Sequence, residues 1–242
     1  MLISGDSTRC ASGLLKSVCC QEFRLVVLSW ATSRKPHRRR AQATLWLFRG
    51  PQFYRVVVSC HVTRIFVIPL QVAVVMLLRV RETGQEICVV TTHLKARTGA
   101  LMSTLRNEQG KDLLDFVKTH CGGRPVIICG DFNAEPTEPV YLTLLRCETL
   151  RLASAYASAG DNADASPSEP PYTTWKIREE GEVCHTIDYV FFSQNTFTVE
   201  AVLDFPTGEE IGEGRVPSFS YPSDHFSLVC DFRFKDADEV CP

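Results

Sequence analysis

The sequence lacks several features that would assign it to a common class of protein. Its 11 cysteines are odd in number and show no C-x-x-C spacing, which argues against a zinc ribbon and a complete disulfide framework. No apolar run reaches the roughly 18 residues of a membrane-spanning helix, because Pro69 and Gln71 interrupt the longest candidate. There is no internal repeat and no nucleophilic serine or cysteine motif. A soluble globular protein in a reducing compartment is therefore expected.

Acidic residues are scarce in the first third of the chain. Residues 1–81 contain 13 Lys and Arg but only two acids, Asp6 and Glu22, whereas residues 82–242 contain 26 acids and 13 Lys and Arg. Such an asymmetry predicts that the two parts differ in origin or in partners.

The N-terminal part contains a basic run, SRKPHRRR at 33–40, which suits nucleic-acid binding or nuclear import. Its acid-poor, Arg- and Ser-containing start is also compatible with a mitochondrial transit peptide. A solvated, poorly ordered segment is the interpretation that we favour. The predicted division is a basic Cys/Arg-rich segment at 1–70, a folded domain at 71–236 and a tail at 237–242. The cytoplasm is the expected compartment, with mitochondrion and nucleus as alternatives.

Apolar strands and helices alternate after residue 71. The runs QVAVVMLLRV and EICVVTTHL predict a hairpin around Thr-Gly, and Leu113, Leu114 and Val117 predict a helix over 103–120 that Gly122 ends. Further predicted elements are the strands PVIIC, YTTWKI, IDYVFFS and DHFSLVCDFRF and the helix TEPVYLTLLR. This order predicts an α/β protein in which a two-sheet sandwich is flanked by helices.

Carboxylate, amide and basic side chains follow the buried strands. In VIICGDFNAEP, Asp131 and Asn133 lie two residues apart and project to one side if the backbone is extended, although Asp and Asn also favour turns. In TTHLKART, the residues His93, Lys95 and Arg97 share this spacing and suit a phosphorylated ligand, although an ordinary polar loop has the same composition.

Two further strands supply an acid and a histidine. Asp188 opens IDYVFFS, and Asp224 and His225 precede FSLVC, so that Asp188 can orient the imidazole of His225. One such pair is weak support, but four strand ends with the same chemistry predict one site. Hard oxygen ligands beside cations predict Mg²⁺ and a phosphate ester, and the spacing of the histidines disfavours zinc.

The strings GDFN, IDYVF and SDHFSLVCDF resemble the exonuclease–endonuclease–phosphatase superfamily. The longer strings THLKART, CGDFNAEPTEPVY, SEPPYTTWKIR and PSFSYPSDHFSLVCDF resemble its deadenylase-related branch, and the match covers roughly residues 71–234. The resemblance implies a two-sheet α/β sandwich with a Mg²⁺ site at one edge. It implies a phosphatase that removes the 2′-phosphate of NADP(H) to give NAD(H), with a poly(A)-specific 3′-exoribonuclease acting on RNA as the alternative.

The resemblance also implies roles for the acidic residues and for one histidine. Asp131 would orient the attacking water and Asn133 would contact the phosphate. His225, held by Asp188, would stabilise the transition state. Asp224 and Asp131 would lie at the metal.

Cationic side chains are implied to hold the substrate. His93 would contact phosphate, and Lys95, Arg97 and Arg178 would bind the phosphates of the dinucleotide together with Asn133. Catalysis of this type depends on positioning and electrostatics, so losing any one of these groups is expected to lower the rate by several orders of magnitude.

The chain departs from the superfamily in its first half. The superfamily carries a metal-binding Glu in a Leu-Gln-Glu strand end, and neither Asp6 nor Glu22 stands in that pattern. The N-terminal half of the sandwich is therefore expected to be incomplete, with an apolar sheet face that a protein partner would cover. Weak Mg²⁺ binding follows, and a catalytically impaired form acting through protein contacts is the third interpretation.

Overall fold

The structure, a computed structural model, describes residues 22–29, 43–48, 61–64, 72–80, 84–159 and 169–236. The predictions for the basic run 33–40 and for the tail 237–242 lie outside these residues.

Twelve strands and four helices make up the described part of the chain. The strands are β1 (Glu22–Ser29), β2 (Ala43–Phe48), β3 (His61–Arg64), β4 (Val72–Arg79), β5 (Glu86–His93), β6 (Val126–Asp131), β7 (Leu152–Ser154), β8 (Thr174–Arg178), β9 (Gly181–His185), β10 (Asp188–Ser193), β11 (Phe197–Val202) and β12 (Leu228–Phe234). The helices are α1 (Ala100–Cys121), α2 (Pro139–Leu145), α3 (Ala155–Ser158) and α4 (Gly208–Ile211).

The strands form two main sheets and one hairpin. The large sheet has the order β3-β4-β5-β6-β10-β7, the small sheet has the order β11-β12-β1-β2, and β8 pairs with β9. Strands β5 and β6 are parallel, with α1 as their crossover connection, whereas β10 runs antiparallel to β6. The carboxyl ends of β5 and β6 therefore meet the start of β10 at one edge of the sheet.

The two central strands are buried on both faces. In β6, Val126 and Ile128 pack with α1 and α2, whereas Ile127 and Cys129 pack toward β12 of the small sheet. Strand β12 of the small sheet buries every second residue, so that Leu228, Cys230, Phe232 and Phe234 face this apolar layer. Two apolar layers thus enclose the large sheet, which holds the edge of β6 rigidly in place.

The predicted fold class is confirmed, since helices flank a two-sheet α/β sandwich. The hairpin β4–β5 is observed, and α1 ends at Gly122, whose φ of 60° forms the left-handed cap. Strands β7, β9 and β11 were not predicted from the sequence. In β9, Gly181 to His185 are mostly exposed, so no apolar alternation marks that strand.

Three strands come from within residues 1–70. Strand β1 pairs with β12, and β2 extends the small sheet beyond it, on the side where an incomplete sandwich was expected. In the β1–β12 register, Glu22 stands opposite Arg233, at the end of β12 farther from His225. The division at residue 70, the missing metal-binding Glu and the covering protein partner stay predictions.

None of the helices in the described ranges has the length and apolar character needed to cross a membrane. The six cysteines that can be assessed there are free thiols, and Cys88, Cys129 and Cys230 are buried among apolar side chains, where a reduced cysteine acts as a small hydrophobic residue. The cytoplasmic location stays a prediction.

Candidate active site

Three adjacent strand ends bring His93, Asp131 and Asp188 side by side. In the parallel pair, His93 lies opposite Asp131, and in the antiparallel pair Asp188 lies opposite Asp131. The three strands are buried on both faces along almost all of their length, so packing against the two apolar layers, rather than an alternation of buried and exposed residues, fixes these register positions. We call His93, Asp131, Asp188 and His225 the strand-end cluster.

The glycine of GDFN allows β5 and β6 to approach each other at this edge. Gly130 has a φ of 140°, and a Cβ atom added there would lie 2.0 Å from the carbonyl oxygen of Thr92. Any other residue would therefore displace the backbone beside Asp131.

Asp131 takes part both in a turn and in the cluster. Its Oδ1 accepts a hydrogen bond from the backbone N–H of Asn133 at 2.8 Å, and Asn133 has a φ of 50°. Its Oδ2 lies 3.3 Å from Nε2 of His93. The side-chain amide of Asn133 donates to the carbonyl oxygen of Leu94 at 3.2 Å, which ties the turn to the end of β5.

The predicted pair of Asp188 and His225 is present. Nδ1 of His225 lies 2.8 Å from Oδ2 of Asp188, which also accepts a hydrogen bond of 2.7 Å from the hydroxyl of Thr173. That hydroxyl accepts the N–H groups of Ile187 and Asp188, so its own proton is directed at the carboxylate. Asp188 Oδ2 therefore acts as the acceptor, and Nε2 of His225 is the ring nitrogen left toward the site.

Burial and neighbouring charges alter the acid–base properties of the cluster. Burial raises the pKa of Asp131 to about 7, and the Asp188 carboxylate adds to the shift. Burial by itself would lower the pKa of His225, but the charge and hydrogen bond of Asp188 outweigh it and raise the pKa. Near neutral pH the site can thus hold a proton acceptor beside an imidazolium cation.

Asp131, Asp188 and His225 also form a group that could hold a metal ion, since one ligand atom of each lies within 4.8 Å of the others. Oδ1 of Asp188 is buried and has no hydrogen-bond partner among the described residues. A buried carboxylate oxygen left in this way fits a hard cation such as Mg²⁺.

Asp224 lies with two cations rather than in this group. Its Oδ2 accepts a 2.7 Å hydrogen bond from Nζ of Lys176 and lies 3.6 Å from Nη2 of Arg178. Burial would raise the pKa of Asp224, but the Lys176 ammonium lowers it below its usual range. Nζ of Lys176 also lies 3.5 Å from Nε2 of His225, so this pair borders the cluster. Oδ1 of Asp224 is buried without a hydrogen-bond partner in the described part of the chain.

Lys95 and Arg97 lie in the segment after β5, which we call the cationic loop (residues 94–98). Because β5 ends at His93, the alternation that placed all three basic residues on one strand face stops there. The backbone N–H of Lys95 donates to Oε1 of Gln109 at 3.0 Å, and Arg97 has a φ of 105°. Leu94 at the start of the loop is thus still bonded to β6 through the carbonyl oxygen of Asp131, whereas Lys95 is held by a side chain from α1.

Sequence reasoning missed Thr173 and Lys176. Lys176 stands two residues before Arg178 in β8, so strand alternation in YTTWKIR would have placed both cations on one face. No local pattern marks Thr173, whose partners Asp188 and Phe226 are distant in the chain.

Comparison with known proteins gives a consistent result. The model of the family described as "Endonuclease/Exonuclease/phosphatase family" matches residues 30–225. Nocturnin of Drosophila melanogaster is 58% identical over 177 residues, with 67% of this chain and 28% of that protein covered. Human nocturnin is 49% identical over 171 residues, with 70% of this chain and 38% of that protein covered.

A solved structure agrees with these relatives. The human nocturnin catalytic domain with bound sulfate anion superposes with a TM-score of 0.63 and 37% identity, covering 88% of this chain and 73% of that domain. The resemblance read from the sequence strings is thereby confirmed. This chain spans less than half of the length of the curated nocturnins.

Proposed function

This chain belongs to the endonuclease/exonuclease/phosphatase family, and from that premise we propose that its site removes the 2′-phosphate of NADP(H). The products are NAD(H) and inorganic phosphate. The resemblance to nocturnin carries this choice of substrate, and the strand-end cluster supports phosphoester hydrolysis.

One observation carries the proposal: the strand-end cluster contacts a lysine of β8, and two further cations follow His93 in the chain. Lys95 and Arg97 follow β5 directly, and Lys176 contacts His225 from β8. Cations from two separate segments suit a substrate with phosphates at two places, as in a dinucleotide that carries an additional 2′-phosphate. The human nocturnin domain holds a sulfate anion, which resembles phosphate in shape and charge.

Hydrolysis requires a directed water, a proton acceptor and stabilisation of charge on the phosphoryl oxygens. Asp131 accepts the proton of the water as the new oxygen–phosphorus bond forms, a role that suits a pKa of about 7. His225, held by Asp188, and Lys176 stabilise the phosphoryl oxygens as the bond from phosphorus to the 2′-oxygen breaks. The departing 2′-oxygen takes up a proton from water, and Asp131 returns its proton to the solvent.

Mg²⁺ is the cofactor that we propose for this reaction. Asp131 and the unpartnered oxygens of Asp188 and Asp224 would hold it, and when bound it would polarise a phosphoryl oxygen. Because Lys176 neutralises Asp224 and Glu22 stands at the far end of β12, we expect Mg²⁺ to bind weakly. A low rate at physiological Mg²⁺ follows.

The charge of the chain favours a small substrate over RNA. Residues 82–242 contain twice as many acids as Lys and Arg, so this part of the chain does not attract a polyanion by net charge. A poly(A) oligonucleotide is therefore the competing substrate in the test.

The test measures phosphate release from NADP⁺ over a Mg²⁺ titration, with NAD⁺ and a 3′-hydroxyl oligoadenylate assayed in parallel. Of the three compounds, we expect only NADP⁺ to release phosphate. The rate should rise with Mg²⁺ up to millimolar concentrations, and Asp131→Ala should abolish it. Lys111→Ala, on the exposed face of α1, serves as the control and keeps the activity. Shortening of oligoadenylate without phosphate release from NADP⁺ would show that the chain is an exoribonuclease and not an NADP(H) phosphatase.

Two further outcomes concern the proposed weakness of the metal site. Turnover that saturates at micromolar Mg²⁺ would contradict weak binding. No turnover of any substrate at high Mg²⁺, with a folded protein, would support the interpretation of a catalytically impaired form.

A further inference from the structure

Arg106 has the largest side chain among the fully buried residues in the described ranges, and its side chain is 2% exposed. Its guanidinium donates from Nη1 to the carbonyl oxygens of Lys95 at 3.1 Å and Arg97 at 2.6 Å. It donates from Nε and Nη2 to the carboxylate of Glu138, at distances of 2.6 to 3.1 Å. Each of the three guanidinium nitrogens thus has an acceptor, an arrangement that only arginine can provide here.

The two carbonyl groups belong to the two cations of the cationic loop. Arg106 joins residues 95 and 97 at one guanidinium nitrogen, which sets the separation of their backbones. The N–H of Lys95 is held by Gln109, three residues further along the same helix. Arg97 has a φ of 105°, a conformation that a non-glycine residue keeps only when its surroundings hold it.

The carboxylate of Glu138 balances the charge of Arg106. Without it, the buried guanidinium of Arg106 would lack a counter-charge and would repel the more exposed cations Lys95 and Arg97. Helix α1 reaches Glu138 because Gly110 allows α2 to come close, since a Cβ at Gly110 would lie 2.6 Å from Cγ2 of Val140. A buried ion pair contributes little to stability compared with apolar packing, so stability alone does not account for this pair.

We propose that Arg106, paired with Glu138, is a positioning residue that holds Lys95 and Arg97 at a fixed separation, so that the cationic loop selects ligands carrying more than one phosphate. Arg106 is buried and acts through the backbones of the loop. This inference deepens the proposed function and rests on it, because it assigns dinucleotide selection to the loop and phosphate hydrolysis to the strand-end cluster.

Steady-state kinetics of the full chain with Arg106→Lys test the proposal on two substrates. NADP⁺ carries three phosphate groups, whereas p-nitrophenyl phosphate carries one and has no second group for the loop. Lysine keeps the positive charge but cannot reach two carbonyls and a carboxylate together. We expect KM for NADP⁺ to rise about ten-fold or more with kcat changed less than about three-fold, and both constants for p-nitrophenyl phosphate to stay unchanged.

Arg124→Lys is the matched control. Arg124 also joins a carboxylate, that of Glu86, to a backbone carbonyl, that of Cys121, but at the other end of α1. Its substitution should leave the ratio of kcat/KM for NADP⁺ to kcat/KM for p-nitrophenyl phosphate unchanged. Equal loss of kcat on both substrates in Arg106→Lys would overturn the proposal, because it would indicate a general structural role.

A double-mutant comparison separates positioning from other effects. In a Lys95→Ala/Arg97→Ala background, adding Arg106→Lys should leave KM for NADP⁺ unchanged, because the side chains through which Arg106 acts are gone. A further rise in KM in that background would overturn the proposal. If Arg106→Lys fails to fold, Glu138→Gln provides the same tests, with a smaller expected rise in KM.

Hydrogen–deuterium exchange tests the positioning role of Arg106 independently of the proposed function. The amides of residues 94–98 should exchange faster in Arg106→Lys than in Arg124→Lys, whatever substrate the chain hydrolyses. Unchanged exchange in the loop would overturn the positioning role even if NADP⁺ is hydrolysed. Absence of NADP⁺ hydrolysis by the unsubstituted chain, with faster exchange in the variant, would reject the substrate and retain the positioning of the loop.

Discussion

Asp131 combines a structural and a chemical role in one side chain. One oxygen closes the turn to Asn133, and the other faces His93 in the strand-end cluster. Burial and the nearby Asp188 make its ionised form costly, and they raise its pKa to about 7. The same features that suit Asp131 to accept a proton therefore oppose folding of the metal-free protein at neutral pH.

The pH dependence of stability should reveal this opposition. Because the folded-state pKa of Asp131 exceeds its unfolded value, its contribution to stability is fully present below about pH 4 and is lost as the pH rises to about 7. We expect Asp131→Asn to gain stability relative to the unsubstituted protein as the pH rises from about 4 to about 7, by up to about 1.4 kcal/mol per pH unit, and the difference to level off above that. Urea unfolding in chelator-containing buffer measures the difference.

Mg²⁺ provides the internal control for that measurement. A cation beside the ionised carboxylates should stabilise the unsubstituted protein more than Asp131→Asn. A free-energy difference that stays constant from pH 5 to pH 8 would show that Asp131 titrates normally.

At the scale of elements, the active edge depends on how closely β5 and β6 approach. Gly130 lies opposite Thr92 in the parallel register, one residue before the Asp131–His93 pair. The crossover helix α1 follows the cationic loop, so this βαβ unit positions both the carboxylate and the basic side chains. A small change in the spacing of the two strands would therefore alter the cluster directly.

Gly130→Ala should disturb this edge. The added Cβ would meet the carbonyl oxygen of Thr92 at 2.0 Å, and the φ of 140° is unfavourable for alanine. We expect a loss of about 1–3 kcal/mol in the free energy of unfolding and a loss of phosphate release. Chemical denaturation and the phosphate-release assay measure the two effects.

Gly123→Ala is the control for backbone conformation. Gly123 has a φ of 76° and nothing within 4 Å of an added Cβ, so its substitution tests the left-handed conformation without the collision. If Gly130→Ala is no more destabilising than Gly123→Ala, the close approach of the two strands is not what requires glycine.

For the whole molecule, the small sheet depends on strands from the N-terminal part of the chain. β12 carries the Phe-rich face that packs against β6 and β10, and its two neighbours are β11 and β1. Without β1, one edge of β12 would present unpaired backbone groups, which invite pairing with another chain.

A chain that starts at residue 71 should therefore self-associate. It lacks β1, β2 and β3 and leaves one edge of β12 and one edge of β4 without a partner. Size-exclusion chromatography with light scattering, over a range of concentrations, measures the association. A chain that starts at residue 22 keeps every described strand and should stay at lower mass. Equal behaviour of the two would indicate that residues 22–70 stand apart from the fold.

Much of the fold could be predicted because its signals are local. The alternation in β12, the turn between β4 and β5 and the stop at Gly122 follow from periods of two and 3.6 residues and from glycine geometry. The strands β7 and β9 carry no such signal, since β7 has three residues and β9 is mostly exposed. Their pairing depends on neighbours that are remote in the chain.

The sequence by itself determined which chemical groups stand at the strand ends, because residue type and short spacing are local properties. It predicted one site for His93, Asp131, Asp188 and His225 from four separate motifs. Only the tertiary structure decided which groups meet. His225 lies 37 residues from Asp188, Lys176 lies 48 residues from Asp224, and Arg106 lies 32 residues from Glu138. Contacts over such distances arise from sheet register and helix packing, which short motifs do not encode.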